Sequence, residues 1–272
     1  MRFDYTTVGH VTADVMADGT RRPGGSAFYS ALQAARLGKR ALIRTRGVAE
    51  EIERLLAPFA GELALELQEA PCTTSFQTSG KGRRRSQRVL SWAGPIEPEP
   101  LVDTAVLHLA PVARETPAAW SGEASFVGLT PQGLVRDWSE PDGSVVLRPL
   151  RASQLPERVD AAVLSVIERA CCAALLDTGA LVAVTDEAAP TELLAPDGDP
   201  ILLAVPAVQR LRDDIGAGDV FAAAFFVALA DGEDASAAAA FANAAAAVRL
   251  SGEGPDAIGD RASIKARVGN SG

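Results

Sequence analysis

The sequence predicts an α/β protein built on a mostly parallel sheet, and three observations carry that expectation. Short apolar segments at 104–110, 124–129, 161–165 and 180–185 recur between helical or loop stretches. Strands so separated make a parallel sheet covered on both faces. Residues 3–11 alternate as a strand does, and an apolar run at helical spacing follows from Ser26 to Leu37. From Ala217 onward the chain is rich in alanine and reads as helix almost throughout, since alanine favours helix and lets helices approach closely.

The elements follow in order. Gly24-Gly25 opens the first helix, and Gly38 closes it at the position after the C-cap. Residues 41–45 read as a strand and 49–59 as a helix. Two β-rich segments, 73–78 and 87–93, are joined by a Gly/Arg-rich turn, and together with residues 11–22 they are expected to form a small separate sheet. No internal repeat or long linker interrupts the pattern, so residues 1–272 are read as a single domain.

Composition narrows the function. The chain has 272 residues, 47% of them hydrophobic, enough to bury a sizeable core. Its formal net charge of −9 argues against nucleic acid as a partner, which needs a basic surface. The three cysteines, Cys72, Cys171 and Cys172, make no disulfide framework, and with only His10 and His108 besides no zinc site is expected. A reduced cytoplasm fits that usage. No signal peptide is read at the N-terminus, and the longest apolar run, Val220–Ala230, is too short to span a bilayer.

The most informative stretch is Asp213-Asp-Ile-Gly-Ala-Gly-Asp-Val-Phe221. Gly216, Ala217 and Gly218 precede an apolar helix, so their N–H groups and the positive end of the helix dipole would form an anion site. Asp219 beside a phosphate cradle would oppose simple binding. It makes sense as a base that takes a proton from an alcohol while a phosphoryl group passes to that alcohol. A plain strand-to-helix turn with a helix-start carboxylate is the bland alternative. The Rossmann pattern fails because its third glycine would fall on Phe221, and no GxxxxGK[ST] loop or protein-kinase motif is present.

Three further places carry chemistry and a bland reading each. Gly24-Gly25 is either turn punctuation or a close approach of backbone to a small polar ligand, and Asp14 upstream is either surface charge or an acceptor for two hydroxyls of a polyol. Ser165 and Glu168 follow the strand Ala161–Leu164, at the strand end where α/β sheets place ligands. Glu168 there is a candidate to orient Mg²⁺ through water, or half of a capping box with Ser165. The basic run Lys81–Arg88 is a solvated hairpin tip, or a lid whose arginines reach phosphate or substrate.

Taken together, these pieces resemble the ribokinase-like (PfkB) carbohydrate kinase family over almost the whole chain. Gly24-Gly25 with a helix ending Ala35-Arg-Leu-Gly38 is similar to its N-terminal signature. Asp213–Asp219 followed by Val220-Phe-Ala-Ala-Ala-Phe225 is similar to its C-terminal one, and Ser165…Glu168 stands where the family carries Asn-x-x-Glu. His108–Val112, Val127–Arg136 and Leu164-Ser165 look most like the branch containing myo-inositol kinases.

The resemblance implies a three-layer α/β/α fold with a small β-sheet lid drawn from about 11–22 and 73–93. It implies transfer of the γ-phosphoryl of ATP to a hydroxyl of a sugar, cyclitol or polyol, with Mg²⁺ and room for a monovalent cation. Asp219 would be the base and Gly216–Gly218 the anion hole; Asp14, Gly24 and Gly25 would meet the acceptor. Thr185 and Asn243, with Gly216 and Gly218, would meet the nucleotide. A homodimer through the lid is admitted, and a catalytically weak relative that binds a ligand or partner is the runner-up. The chain departs from the pattern at Tyr29 and Ser165, where the family has Asn, and at Asp214, where it has Thr. The segment Thr185-Asp-Glu-Ala-Ala-Pro190 also lacks the glycines of the family's nucleotide-side loop.

Overall fold

The computed structural model describes residues 2–16, 18–80, 82–98, 103–118, 123–138 and 142–269. Its first half runs β1 (Phe3–Val8), β2 (Thr12–Val15), β3 (Arg21–Gly24), α1 (Ser26–Arg36), β4 (Ala41–Gly47), α2 (Ala49–Leu56), β5 (Leu63–Glu69), β6 (Ser75–Ser79), β7 (Ser86–Ser91), β8 (Thr104–Leu109) and β9 (Ala124–Leu129). The second half runs β10 (Arg136–Asp137), β11 (Val146–Leu147), β12 (Ala161–Ser165), α3 (Val166–Arg169), α4 (Ala173–Leu176), β13 (Leu181–Asp186), β14 (Ala189–Leu194) and β15 (Ile201–Leu203). It ends in α5 (Ala217–Ala230), α6 (Ala235–Leu250) and α7 (Arg261–Gly269).

A nine-stranded sheet in the order β15-β14-β13-β12-β9-β8-β1-β4-β5 forms the centre. It is parallel from β13 to β5, and only β14 runs in the opposite direction, pairing antiparallel with β13 on one side and β15 on the other. A four-stranded sheet, β3-β2-β6-β7, stands apart. It draws on the two segments from which the small sheet was expected.

The long helices lie on one face. Phe28 and Leu32 of α1, Phe221, Phe225 and Phe226 of α5, and Ala238, Ala242 and Ala245 of α6 share one apolar core. Gly128 on β9 lets α5 come down onto the sheet, because a Cβ there would stand 2.5 Å from the Phe226 ring. Phe226 also meets His108 edge-on at 4.9 Å. His108 bonds Tyr5 at 2.9 Å and Thr130 at 3.1 Å, and burial lowers its pKa to about 3, so a neutral ring bridges β1, β8 and the exit of β9.

The second face is covered mainly by loops and short turns. Between β8 and β9, and between β9 and β12, the described residues hold no α-helix. Ile96, Leu134, Val135, Leu150 and Val159, all on loops or short turns, cover Leu107, Leu129 and Leu164 there, with Cys172 and Leu175 from the short α4 region. The helix expected over 49–59 ends at Leu56 and tightens into a 3-10 turn at Ala57–Phe59, where Pro58 cannot extend an α-helical ladder. No described helix is long and apolar enough to cross a membrane.

Candidate active site

Two helix N-termini converge beside the small sheet. Gly216 caps α5 with φ 77°, a left-handed backbone that glycine adopts without penalty. A Cβ on it would stand 2.3 Å from the Tyr29 ring of α1, so the two helices meet closely only because residue 216 is glycine. The first N–H groups of α5 have no partner within the helix. A Cβ at Gly218 would meet no atom within 4 Å, so the space over that first turn is open. This is the geometry of an anion cradle.

Asp219 lies on the first turn of α5, its backbone carbonyl held by the Ser30 hydroxyl at 3.2 Å. Burial pushes its carboxyl above the ordinary value; the Ser26 hydroxyl and the charges of Arg136 and Arg85 pull it down, and Glu168 pushes it up. Asp14 faces the same space from β2. Its Oδ1 takes the Thr12 hydroxyl at 2.8 Å, and desolvation raises its carboxyl to about 6, opposed by Arg136 and Arg85 and aided by Asp219. A Cβ at Gly24 would stand 2.3 Å from Asp14 Oδ2, and one at Gly25 would stand 2.2 Å from the His10 carbonyl. Both glycines are therefore places of close backbone approach, and Gly25 also has φ 93°.

Glu168 is buried on α3, where its Oε2 accepts the Ser165 N–H at 2.8 Å. The capping contact of the bland reading is thus present. Glu168 also acts electrostatically on Asp219 and Arg136, which puts it within range of the same centre. Among the described residues no cluster of three or more His, Cys, Asp or Glu could hold a metal directly. One buried carboxylate with an oxygen already engaged suits Mg²⁺ that keeps its waters rather than an all-protein cage.

On the side expected to take the donor, Thr185 pairs with Ser165 across β13 and β12 at the same end of the sheet. The segment after it is a tight hairpin turn into β14, with Glu187 at φ 46°. Asn243 is buried on α6, where its carbonyl accepts the Thr191 hydroxyl at 2.8 Å and its amide reaches the Ala204 carbonyl at 3.4 Å. It ties α6 to the β14 edge and is not among the groups acting on Asp219.

The basic run is docked rather than free in water. Gly82 N–H donates to Asp214 Oδ2 at 2.8 Å, and Arg85 pairs with the same carboxylate at 2.6 Å. Arg83 donates its N–H to Glu187 at 3.0 Å and forks onto Asp186 at 2.5 and 2.7 Å. Lys81 lies outside the described residues. The acids that replace family residues thus have partners on the small sheet.

Sequence reasoning missed Arg136. It is buried at the start of β10, donating to the Val112 carbonyl at 3.0 Å and to Gln87 of the small sheet at 2.7 Å. Glu168, Asp219, Glu115 and Asp14 all act on it. It is a fixed positive charge among four carboxylates, and a lone arginine after Val135 carries no sequence signal of that.

Residues 168–259 match the family model described as pfkB family carbohydrate kinase. No curated protein matches the chain. Among solved structures, a pyrophosphate-dependent kinase in the ribokinase family, complexed with a pyrophosphate analog and myo-inositol, superposes with a TM-score of 0.79 at 22% identity, over 96% of this chain and 99% of that one. A pyrophosphate-dependent myo-inositol-1 kinase converted into a myo-inositol-3 kinase gives 0.78 at 21%, over 98% and 99%. The Arabidopsis thaliana ribokinase complexed with ribose and ATP gives 0.73 at 18%, over 98% and 99%. At these identities the likeness is one of fold. The fold is that of the ribokinases, and these findings bear out the family resemblance.

Proposed function

We propose that this ribokinase-like chain, matched by the pfkB model over residues 168–259, is a kinase that passes a phosphoryl group to a hydroxyl of a neutral cyclitol, sugar or similar polyol. The observation that carries the reading is the meeting of Asp219 with an open anion cradle at Gly216–Gly218, opposite the polyol-type acceptor Asp14.

In this reading the acceptor hydroxyls donate to Asp14 and lie against the close backbone of Gly24 and Gly25. Asp219 takes the proton of the attacking hydroxyl, and its raised pKa makes it a better base than an ordinary aspartate. The N–H groups over Gly216, Ala217 and Gly218 receive the charge that builds on the transferred group. Arg136 is placed to offset the carboxylates so that an anionic donor can approach. Mg²⁺, oriented through water by Glu168, would neutralise donor phosphate oxygens.

The donor is ATP in the reading drawn from the signatures, with Thr185 and Asn243 on the nucleotide side. A second reading, inorganic pyrophosphate, is favoured by one observation. The Asn243 side chain is spent on Thr191 and Ala204 and so is not free to meet an adenine. The relatives of similar fold include pyrophosphate-dependent kinases. Incubation with ATP or pyrophosphate and a panel of myo-inositol, ribose and other polyols tests both. A phosphorylated product with either donor supports the function and names the donor. No product with any pair, from protein that binds a polyol, would favour the non-catalytic relative.

A further inference from the structure

Arg249, near the end of α6, is fully buried at 0% exposure. Its guanidinium lies in a nest of oxygens. Nη2 donates to Asp213 Oδ2 and to the Ile215 carbonyl, each at 2.7 Å. Nη1 reaches the carbonyls of Asp213 and Gly252, each at 3.4 Å. The Asp213 carboxylate is held in turn by the N–H of Ile215 at 3.0 Å and of Gly254 at 3.1 Å. The Tyr29 ring, which closes on Gly216, lies 5.7 Å from the guanidinium carbon.

Three backbone carbonyls and one carboxylate thus gather around one buried guanidinium from the segments at 213–215 and 252. Backbone carbonyls gathered this way replace the water shell of a dehydrated monovalent cation. Here the place is filled by a charge fixed to the chain, and a buried charge persists only when paired and hydrogen-bonded. This one is paired with Asp213 and bonded through both Nη atoms, while its Nε is buried without a partner. Two of the oxygen-bearing residues, Asp213 and Ile215, lie immediately before Gly216. Whatever holds their carbonyls sets the direction of the backbone as it enters the anion cradle. Burial alone would raise the Asp213 carboxyl, yet the hydrogen bonds from Ile215 and Arg249 bring it below its ordinary value, so the carboxylate is ionised at neutral pH.

We infer that Arg249 is a built-in cation: a positioning residue whose guanidinium occupies an oxygen nest behind the Gly216–Gly218 cradle, so that the cradle neither needs nor responds to a monovalent metal ion. The catalytic part of this inference rests on the proposed phosphoryl transfer; the structural part does not. It answers the monovalent-cation expectation from this chain's own residues.

The test compares potassium chloride with choline chloride at equal ionic strength, reading melting temperature and turnover. The wild-type protein should give the same values in both salts. Arg249→Ala should melt lower in choline and recover selectively in potassium, because the emptied nest then accepts the ion. Its donor KM should rise on the order of tenfold, the scale of losing hydrogen bonds to a charged group, with acceptor KM little changed. A cavity without a cation site would lower the melting temperature equally in both salts. Should Arg249→Ala not fold, Arg249→Lys and the wild type decide: lysine should keep the potassium indifference. Potassium-dependent melting of the wild type, or Arg249→Ala that melts lower with no potassium recovery, would overturn the inference. The melting comparison needs no turnover, so a missing kinase activity would sink the proposed function and leave this inference to be judged separately.

Discussion

Asp14 and Asp219 are two half-buried carboxylates that face one centre; desolvation raises both, and the charge of Asp219 makes Asp14 harder still to ionise. For Asp14 the raised value, about 6 against 3.8, has a definite sign. The folded state binds its proton more tightly than the unfolded state, so ionisation at neutral pH costs stability. Asp14→Asn should therefore melt higher than wild type at pH values above the raised value of about 6. The gain should shrink as pH falls through the window from about 6 and vanish below the ordinary value of 3.8. A gain that is flat across that window would show that Asp14 is not so perturbed. The same variant should raise acceptor KM, since the carboxylate is the group that polyol hydroxyls would seek. For Asp219 the raised value means that kcat falls on acidification, with its limb above the usual carboxylate range. At this scale the sequence drew attention to residues that stood in a motif, Asp219, the Gly216–Gly218 turn, Gly24-Gly25 and Glu168, and the fold gathers them at one centre. It was silent on Arg136 and Arg249, because each is a single arginine whose role comes from what the fold brings to it.

Helix α5 is the element on which the site depends, and Gly216 is its weak point. Gly216→Ala forces a left-handed residue with a Cβ, costing about 1–2 kcal/mol, and drives that Cβ into Tyr29 at 2.3 Å. The variant should melt lower and lose turnover together, while Gly218→Ala, with open space around it, should melt like wild type and lose activity alone. Equal melting of all three proteins would remove the argument for a close α1–α5 contact. Helix α3 separates two roles of Glu168. Glu168→Gln should raise the Mg²⁺ concentration that gives half the maximal rate. If stability falls while the Mg²⁺ requirement stays, the residue serves only as the cap that its bond to Ser165 shows. Elements were read well where pattern and propensity agreed, as in α1, β4, β12 and α5. Strand β5 was missed because Leu-Ala-Leu-Glu-Leu-Gln-Glu is made of helix formers, and only its pairing with β4 makes it a strand. The hairpin β13–β14 was missed because Pro190 argues against a strand. Pro190 stands at the irregular start of β14, which α6 meets through Asn243 and Thr191.

The whole molecule is a broad sheet with the long helices on one face, loops and short helices on the other, and a small sheet that reaches back over the end where Asp219 lies. The reach is made by ion pairs at its tip; Arg83 is 60% exposed, so its pair with Asp186 is weak, while the Arg85–Asp214 pair is more shielded. The arginines already have carboxylate partners in Asp186, Glu187 and Asp214, which argues against their serving an acceptor phosphate. Myo-inositol or a free sugar should therefore be turned over with a higher kcat/KM than fructose 6-phosphate. A preference for the phosphorylated sugar, lost when Arg83 and Arg85 are replaced by alanine, would assign the small sheet to substrate phosphate instead. The parallel order of the sheet and the separateness of the small one were legible from strand spacing. The loop-built second face was not, because Ile96, Leu134 and Leu150 lie in irregular segments without periodicity. The central claim is that Asp219 takes the proton of an acceptor alcohol while the cradle at Gly216–Gly218 stabilises a moving phosphoryl group. It is tested most directly by measuring phosphorylation of myo-inositol and the polyol panel, with ATP and with pyrophosphate, by wild type and by Asp219→Asn. The account predicts product from the wild type and a loss of about 10²–10⁴ in rate for the variant, with the fold and acceptor binding retained. Turnover by Asp219→Asn within a few-fold of wild type would contradict it.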